Sequence, residues 1–183
     1  GFFNMEFFYC GMTQRLAVVE FNPRLASQLA DLYQRGLGVD APAMSLAMAQ
    51  GIDPATVPRV QPQGGAASSF VFRAFSAREV AAQPHAWQRT RLHREMPDTL
   101  LLTFPKAGHG LDREFKWLGS HRYGVMHLAG RDEHHLRERC EQACRILGWP
   151  LPYFEAHNDP HAHATLQHSA WSSSSVFSQG VNT

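Results

Sequence analysis

The sequence predicts an α+β fold in which antiparallel strands are flanked by helices. Residues 2–9 and 14–21 are rich in Phe, Tyr and Val, and the short segment CGMT separates them, which is typical of a β-hairpin. Apolar residues then recur at helical spacing, at Leu25, Leu29, Leu32 and Tyr33. Later segments mix strand-like runs with one clear helical run, so neither an all-α nor an all-β chain is indicated.

Composition restricts the classes of protein to which this chain can belong. Its 183 residues, 44% of them apolar, can form one domain or two small subdomains with a real core. A net charge of +1 provides no electrostatic footprint for nucleic acid or for a membrane surface. No apolar stretch approaches the roughly eighteen residues of a transmembrane helix. Three cysteines without a CxxC pair indicate a reducing compartment, so we expect a cytoplasmic protein.

Two helices are predicted after the hairpin. Asn22 and Pro23 predict the start of the first, because Asn is a favoured N-cap and Pro a favoured first helical residue. Gly36 is a plausible end for this helix. A second short helix is expected over residues 40–50, with a proline in its first turn.

The chain is expected to divide into two structured regions. Residues 57–68, VPRVQPQGGAAS, have the composition of a linker. We therefore expect a first region over residues 1–56 and a small α+β subdomain over residues 69–150. Residues 151–183, with four histidines and the run SSSS, are expected to form a disordered tail.

Within the second region, strands are predicted at residues 69–75, 99–104 and 123–129. The segment 76–98 predicts only a weak helical turn, over residues 77–82. The clearest helix is expected over 132–147, since one face collects its apolar residues and Gly148 ends it; these residues are Leu136, Cys140, Ala143, Cys144 and Leu147. We expect Cys140 and Cys144 to belong to the core, whereas Lys106 and His109 could face an active site.

Two glutamates, Glu6 and Glu20, each interrupt an apolar strand of the hairpin. A carboxylate in such a strand costs free energy unless a cation or hydrogen-bond donors compensate it. The two glutamates are 14 residues apart, an even number. In an antiparallel register whose paired residue numbers add up to an even number, both side chains therefore lie on one face of the hairpin. A loop of three or five residues gives that register. We then expect their Cβ atoms to lie about 5–8 Å apart, within reach of a shared ion.

Asn22 and Arg24 extend this pattern. Asn22 lies two residues beyond Glu20, returns to the same side and adds a neutral oxygen. Three oxygen donors without thiol or imidazole suit a hard cation, Mg²⁺ or Mn²⁺. Arg24, again two residues on, could clamp an oxyanion. Taken singly, each has another interpretation: a helix start at Asn22, a solvated helix residue at Arg24, and an edge-strand carboxylate at Glu20.

The set resembles the C-terminal part of the ATP-grasp catalytic domain, as in biotin carboxylase, carbamoyl-phosphate synthase and the amino-acid and dipeptide ligases. NMEFFY at 4–9 and VVEFNPRLASQLADLY at 18–33 carry the resemblance. It implies the C-terminal part of an ATP-grasp domain, an antiparallel sheet with flanking helices, followed by a small α+β subdomain.

The resemblance also implies a role for each residue of the set. Glu6 would bind one Mg²⁺, Glu20 would bridge two, and Asn22 would bind the second. Arg24 would be the catalytic residue that contacts phosphate or the substrate carboxylate. All four would thereby bind the cofactors, ATP and Mg²⁺ (or Mn²⁺).

The implied reaction is an ATP-dependent ligation. A carboxylate attacks the γ-phosphate to form an acylphosphate, and an amine or a similar nucleophile then displaces phosphate. The expected partners are therefore ATP and small carboxylate and amine substrates, with no nucleic acid or membrane and a possible homo-oligomer. The family's nucleotide-binding half would lie before Gly1, so we expect a fragment that is inactive alone.

Three other functions stay open. A non-catalytic grasp-like binding or regulatory module would keep the hairpin without the reaction. A carboxylation subunit of the biotin carboxylase type would keep the metal site with another acceptor. A hydrolase with an oxygen-ligand metal site is less favoured, because no general base stands near the two glutamates in sequence.

Overall fold

The described residues, 1–153 and 177–178 of a computed structural model, form an α+β protein with two antiparallel sheets. The predicted α+β class is thereby confirmed. The chain divides into two units, residues 1–63 and 64–183, and their boundary falls inside the segment predicted as a linker. No helix in the described ranges is long and apolar enough to cross a membrane.

The first unit begins with the hairpin of β1 (Asn4–Cys10) and β2 (Arg15–Asn22). A four-residue turn, 11–14, joins the strands. Gln14 takes the left-handed conformation there, with φ 54°, which side chains seldom adopt without compensation. Its amide supplies that compensation by donating to the Gly11 carbonyl at 2.8 Å and accepting from the Tyr9 hydroxyl at 2.7 Å.

Helix α1 (Ser27–Leu37) begins later than predicted, so the expected start at Asn22 and Pro23 is wrong. Asn22 is the last residue of β2 and pairs with Asn4 across the hairpin. The Arg24 N–H donates to the Asn22 carbonyl at 2.8 Å, so the chain bends sharply before the helix begins. Asn22, which the sequence predicted as a helix N-cap, is therefore paired in the β-hairpin instead. The helix ends at Gly38 (φ 68°) rather than at Gly36.

Helix α2 (Ala41–Ala49) packs against α1 and follows the predicted bounds closely. Asp40 caps its start by accepting a hydrogen bond from the Ala43 N–H at 2.9 Å. A short 3₁₀ turn, Pro54–Thr56, then packs on α2. The buried side of this pair includes Leu32 of α1 and Ala41 of α2.

The second unit is built on a four-stranded antiparallel sheet with the order β4-β5-β3-β6. Its strands are β3 (Ala66–Ala74), β4 (Leu100–Thr103), β5 (His121–Gly130) and β6 (Phe177–Ser178). β3 starts inside the predicted linker, which is a correction. Its first two residues, both alanines, are fully buried opposite Gly130 and Ala129 at the end of β5. The expected tail, 151–183, falls outside the described residues except for 151–153 and β6.

The described residues of this unit also form three helices: α3 (Ala86–Glu95), α4 (His109–Leu118) and α5 (Glu133–Leu147). The predicted α5 is confirmed, including its buried face, and the turn expected near 77–82 is a 3₁₀ turn, Ala77–Glu79. The sequence did not predict α3 or α4. α3 buries only Leu92, so it lacks an apolar period, and the Gln88 side chain instead donates to the Leu147 carbonyl at 2.8 Å.

Aromatic side chains fill the centre of the second unit. The Trp149 ring meets Phe72 edge-on at 4.8 Å between centroids and Tyr123 at 5.2 Å. The Trp149 indole N–H donates to the Ala82 carbonyl at 2.9 Å, so its polar atom is satisfied. Burial raises the pKa of Tyr123 to about 12.

Candidate functional site

The structure places Glu6 and Glu20 directly opposite each other on β1 and β2. Asn4 and Asn22 also pair with each other, two residues away on both strands. Because strand side chains repeat their direction every second residue, these four side chains lie on one face of the hairpin. Two carboxylates and two amides thus form a patch at the open end of the hairpin, away from the turn.

A β-bulge produces this alignment. Between the turn and the pair of Phe7 and Val18, the strands keep one register. If that register continued, Glu6 would lie opposite Val19. Glu20 would then lie on the other face of the hairpin. The register shifts between Glu6 and Phe7, so that β2 accommodates one extra residue and Glu20 moves opposite Glu6. The four-residue turn differs from the predicted loop of three or five, and the bulge supplies the missing residue.

The electrostatics of this patch are unfavourable without a cation. Like charges directly opposite across a strand pair repel each other. Glu6 and Glu20 are both exposed, and neither forms an ion pair with a cation of residues 1–153. Their oxygens, with the half-buried Asn22 amide, are the donors that a hard cation prefers.

This donor set fits Mg²⁺ or Mn²⁺ on its chemistry. Within the described ranges, no three His, Cys, Asp or Glu side chains gather to hold a metal ion. The hairpin patch has two carboxylates and completes its set with amide oxygens. Mg²⁺ commonly binds through one or two carboxylates and keeps waters or substrate phosphates as its other ligands. The patch therefore suits a metal shared with a phosphate ligand.

Arg24 lies in the bend between β2 and α1, not in the first turn of the helix as predicted. Its side chain is exposed and borders a shallow groove of about 380 Å³. The groove walls include Pro23, Leu25, Ser45, Met48 and Ala49. Arg24 follows Asn22 closely in sequence, so its cation belongs to the same end of the hairpin as the carboxylates.

Much of the remaining hairpin surface is apolar and exposed. Phe8, Tyr9, Leu16 and Val18 are each 56–66% exposed, and these residues belong to both faces. Phe21 stacks on Phe3 with 5.6 Å between ring centroids, and its side chain is still 54% exposed. The carboxylate patch therefore lies within an apolar surface, where a bound ion would be less hydrated than on an ordinary polar strand.

Of the described residues that the sequence singled out outside the hairpin, none belongs to a group of three His, Cys, Asp or Glu side chains that could hold a metal ion. Cys140 and Cys144 are buried in α5, as expected for core residues, and a hydrogen bond with Cys144 together with burial raises the pKa of the Cys140 thiol. His109 is exposed at the start of α4. The histidines of the expected tail lie outside the described residues.

Sequence reasoning missed a pocket of about 460 Å³ on α4. Its lining includes Lys106, Arg113, Glu114 and Trp117. Glu114 accepts a hydrogen bond from Lys106, and this bond, with the Lys106 charge, lowers the pKa of the Glu114 carboxyl. The helical spacing of the apolar residues Leu111, Phe115 and Leu118 could have revealed this helix.

No family model, no curated protein and no solved structure matches this chain. A functional proposal for this chain therefore depends on its residues and their geometry, and on the resemblance of the hairpin sequence described above.

Proposed function

We propose that this chain carries the metal-binding segment of an ATP- and Mg²⁺-dependent ligase of the ATP-grasp type. The reaction joins a carboxylate to an amine, or to a similar nucleophile, through an acylphosphate. The observation that supports this most directly is the facing pair Glu6 and Glu20, with Asn22 on the same face. In a hairpin with a purely structural role, two carboxylates directly opposite each other would only destabilise the strand pair, because like charges repel.

In this proposal Glu6, Glu20 and Asn22 hold Mg²⁺ (or Mn²⁺). A metal held by these residues would neutralise charge on the ATP phosphates and so lower the cost of an anion approaching an anion. The hairpin contributes rigidity, because cross-strand pairing and the bulge fix the backbone positions of Glu6 and Glu20 before any ligand binds. No nucleophilic side chain is required, in agreement with a site made of carboxylates, amides and a guanidinium.

Arg24 is the proposed catalytic cation. Its guanidinium carries donors in a planar fork that matches a carboxylate or a phosphate. Its exposed position beside a groove leaves this fork free for an outside anion. Lysine at the same position would keep the charge but lose the paired hydrogen bonds.

Metal binding to the hairpin tests the proposal directly. When Mn²⁺ is added to the ¹⁵N-labelled 183-residue chain, we expect the backbone amides of residues 4–6 and 20–22 to broaden first in the NMR spectrum. Glu20→Gln should weaken this binding at least about tenfold, which corresponds to about 1.4 kcal/mol. It should leave the thermal melt unchanged or slightly raised, because it removes a like-charge contact.

Glu138→Gln provides the matched control, since Glu138 is an exposed glutamate on α5 whose side chain faces His134 at 3.5 Å. It should leave Mn²⁺ affinity at the hairpin unchanged. Equal Mn²⁺ affinity in the Glu20→Gln variant and the wild type would refute the metal assignment. A lowered melting temperature for Glu20→Gln with unchanged Mn²⁺ affinity would assign Glu20 a structural role instead.

A second measurement concerns turnover in the ligase that contains this chain. Arg24→Lys should lower ATP-dependent phosphate release at least about tenfold, because the planar fork is lost in the transition state. Folding stability should change by less than about 0.5 kcal/mol, as for an exposed substitution. Steady-state phosphate release is measured beside a thermal melt. Unchanged activity per folded molecule would show that Arg24 takes no part in the reaction.

A further inference from the structure

A second candidate ligand site lies on α4 in the second unit. One stripe of the helix faces the pocket of about 460 Å³, with residues spaced i, i+3, i+4, i+7 and i+8. This stripe comprises Gly110, Arg113, Glu114, Trp117 and Leu118, and Lys106 adds to it from the preceding loop. The volume is within the range of small-ligand pockets, roughly 300–1,000 Å³.

Two cations line the pocket, Lys106 and Arg113, and Lys106 is paired with Glu114. Lys106 donates to one oxygen of Glu114, and the Nδ1 atom of His121 lies 3.7 Å from the other oxygen. The Lys106 ammonium thus compensates the negative charge of Glu114 within the protein. Arg113 is exposed and forms no ion pair with any residue in the described part of the chain. The pocket therefore offers a guanidinium to an outside anion.

A buried histidine, His121, lies next to Glu114. The His121 side chain is almost fully buried, and its ring Nε2–H donates to the Phe104 carbonyl at 3.2 Å. Its Nδ1 atom has no hydrogen-bond partner in the described structure and is directed toward Glu114. The hydrogen bond from Lys106 therefore anchors the Glu114 carboxylate, and Arg113 forms no ion pair with it.

The apolar part of the pocket is unusually open. Trp117 is 73% exposed and Leu118 is 68% exposed, although Phe115 on the neighbouring stripe packs against the core. Core packing therefore does not require the indole of Trp117. Arg113 and Trp117 are four residues apart and so lie on the same face of α4. The Lys116 ammonium lies 5.4 Å from the centroid of the Trp117 ring, so the protein already brings one cation to this indole.

We infer that this pocket binds a small monocarboxylate that carries an apolar or aromatic substituent. Arg113 pairs with the carboxylate through its planar fork, and the substituent packs on Trp117 and Leu118. This site consists of residues 106–118 and is independent of the metal patch and of the proposed ligase reaction.

Phenylacetate is the probe for this site, and Trp117 is the reporter. When phenylacetate is added to the ¹⁵N-labelled chain, we expect a saturable shift of the Trp117 indole N–H signal. Trp87, which is 60% exposed on α3, serves as the internal control and should not shift. Arg113→Gln should weaken binding at least tenfold, whereas Arg94→Gln, which removes an exposed arginine of α3, should not change it.

Two analogues separate the contributions of charge and ring. 2-Phenylethanol lacks the carboxylate and acetate lacks the ring, so each should bind at least tenfold more weakly than phenylacetate. Equal shifts of Trp87 and Trp117, or undiminished binding to a folded Arg113→Gln variant, would overturn the inference. Acetate or inorganic phosphate binding as tightly as phenylacetate would also overturn it, because the pocket would then be a simple anion site.

Discussion

Replacing Trp149 with alanine is expected to lower the free energy of unfolding of the second unit by about 3–5 kcal/mol. The indole is 5% exposed and packs against the rings of Phe72 and Tyr123, so its removal leaves a cavity in the aromatic centre. The same change leaves the Ala82 carbonyl without the indole N–H that donates to it at 2.9 Å. Transfer, cavity and hydrogen-bond losses therefore act in the same direction.

Urea denaturation followed by near-ultraviolet circular dichroism measures this loss. Trp149→Phe, which retains a ring but has no N–H donor, should have a smaller loss and remains measurable if the alanine variant does not fold. Trp87→Ala is the control, because its exposed indole should change stability by no more than about 0.5 kcal/mol. A smaller loss for Trp149→Ala than for Trp87→Ala would contradict the assignment of Trp149 to the core.

Gly124→Ala should also destabilise the second unit, by about 2 kcal/mol, although it adds a single methyl group. In an unhindered strand the change from glycine to alanine is favourable by about 0.5–1 kcal/mol. Here the new Cβ would lie 2.6 Å from two carbon atoms of the Trp149 ring. Phe72 and Tyr123 pack against that ring, so it cannot move away without disturbing the core.

A double variant isolates the cause of this loss of stability: Gly124→Ala is combined with a smaller side chain at position 149. In Trp149→Leu the second substitution, Gly124→Ala, should cost much less than in the wild type, because the atoms it meets are gone. Gly110→Ala is the control: nothing lies within 4 Å of its added Cβ, so alanine should stabilise α4 slightly. Additive losses in the double variant would show that Gly124 is required for a reason other than contact with Trp149.

In the predicted helix α5, periodicity and burial coincide. In α5, Leu136 and Cys140 occupy the predicted buried face, and Glu133 pairs with Arg137 at 2.7 Å. α3 could not be predicted in this way, because hydrogen bonds from Gln88 to the end of α5 anchor a mostly polar helix. α4 was hidden because Gly108, at φ 52°, precedes it without a capping side chain, and the sequence there indicates a turn.

In the hairpin, too, the sequence predicted some features and not others. Strand composition predicted β1 and β2, and the parity of Glu6 and Glu20 predicted that both could share a face. The sequence did not reveal how that alignment is reached, because a bulge depends on the balance of pairing along both strands. At Asn22 two local preferences competed, and pairing with Asn4 prevailed over helix capping.

The strand order of the second sheet affects how this chain is made. β3 pairs with β5, and His121 follows Ala74 by 47 residues, so β3 leaves the ribosome well before its partner. At about 5–20 residues per second, the delay is roughly 2 to 9 seconds. The β1–β2 hairpin, by contrast, can close within microseconds of its own synthesis. Slow codons between 75 and 120 would lengthen the time for which the apolar strand containing Phe70 and Phe72 stays unpaired, and a holding chaperone would then raise the yield of folded protein.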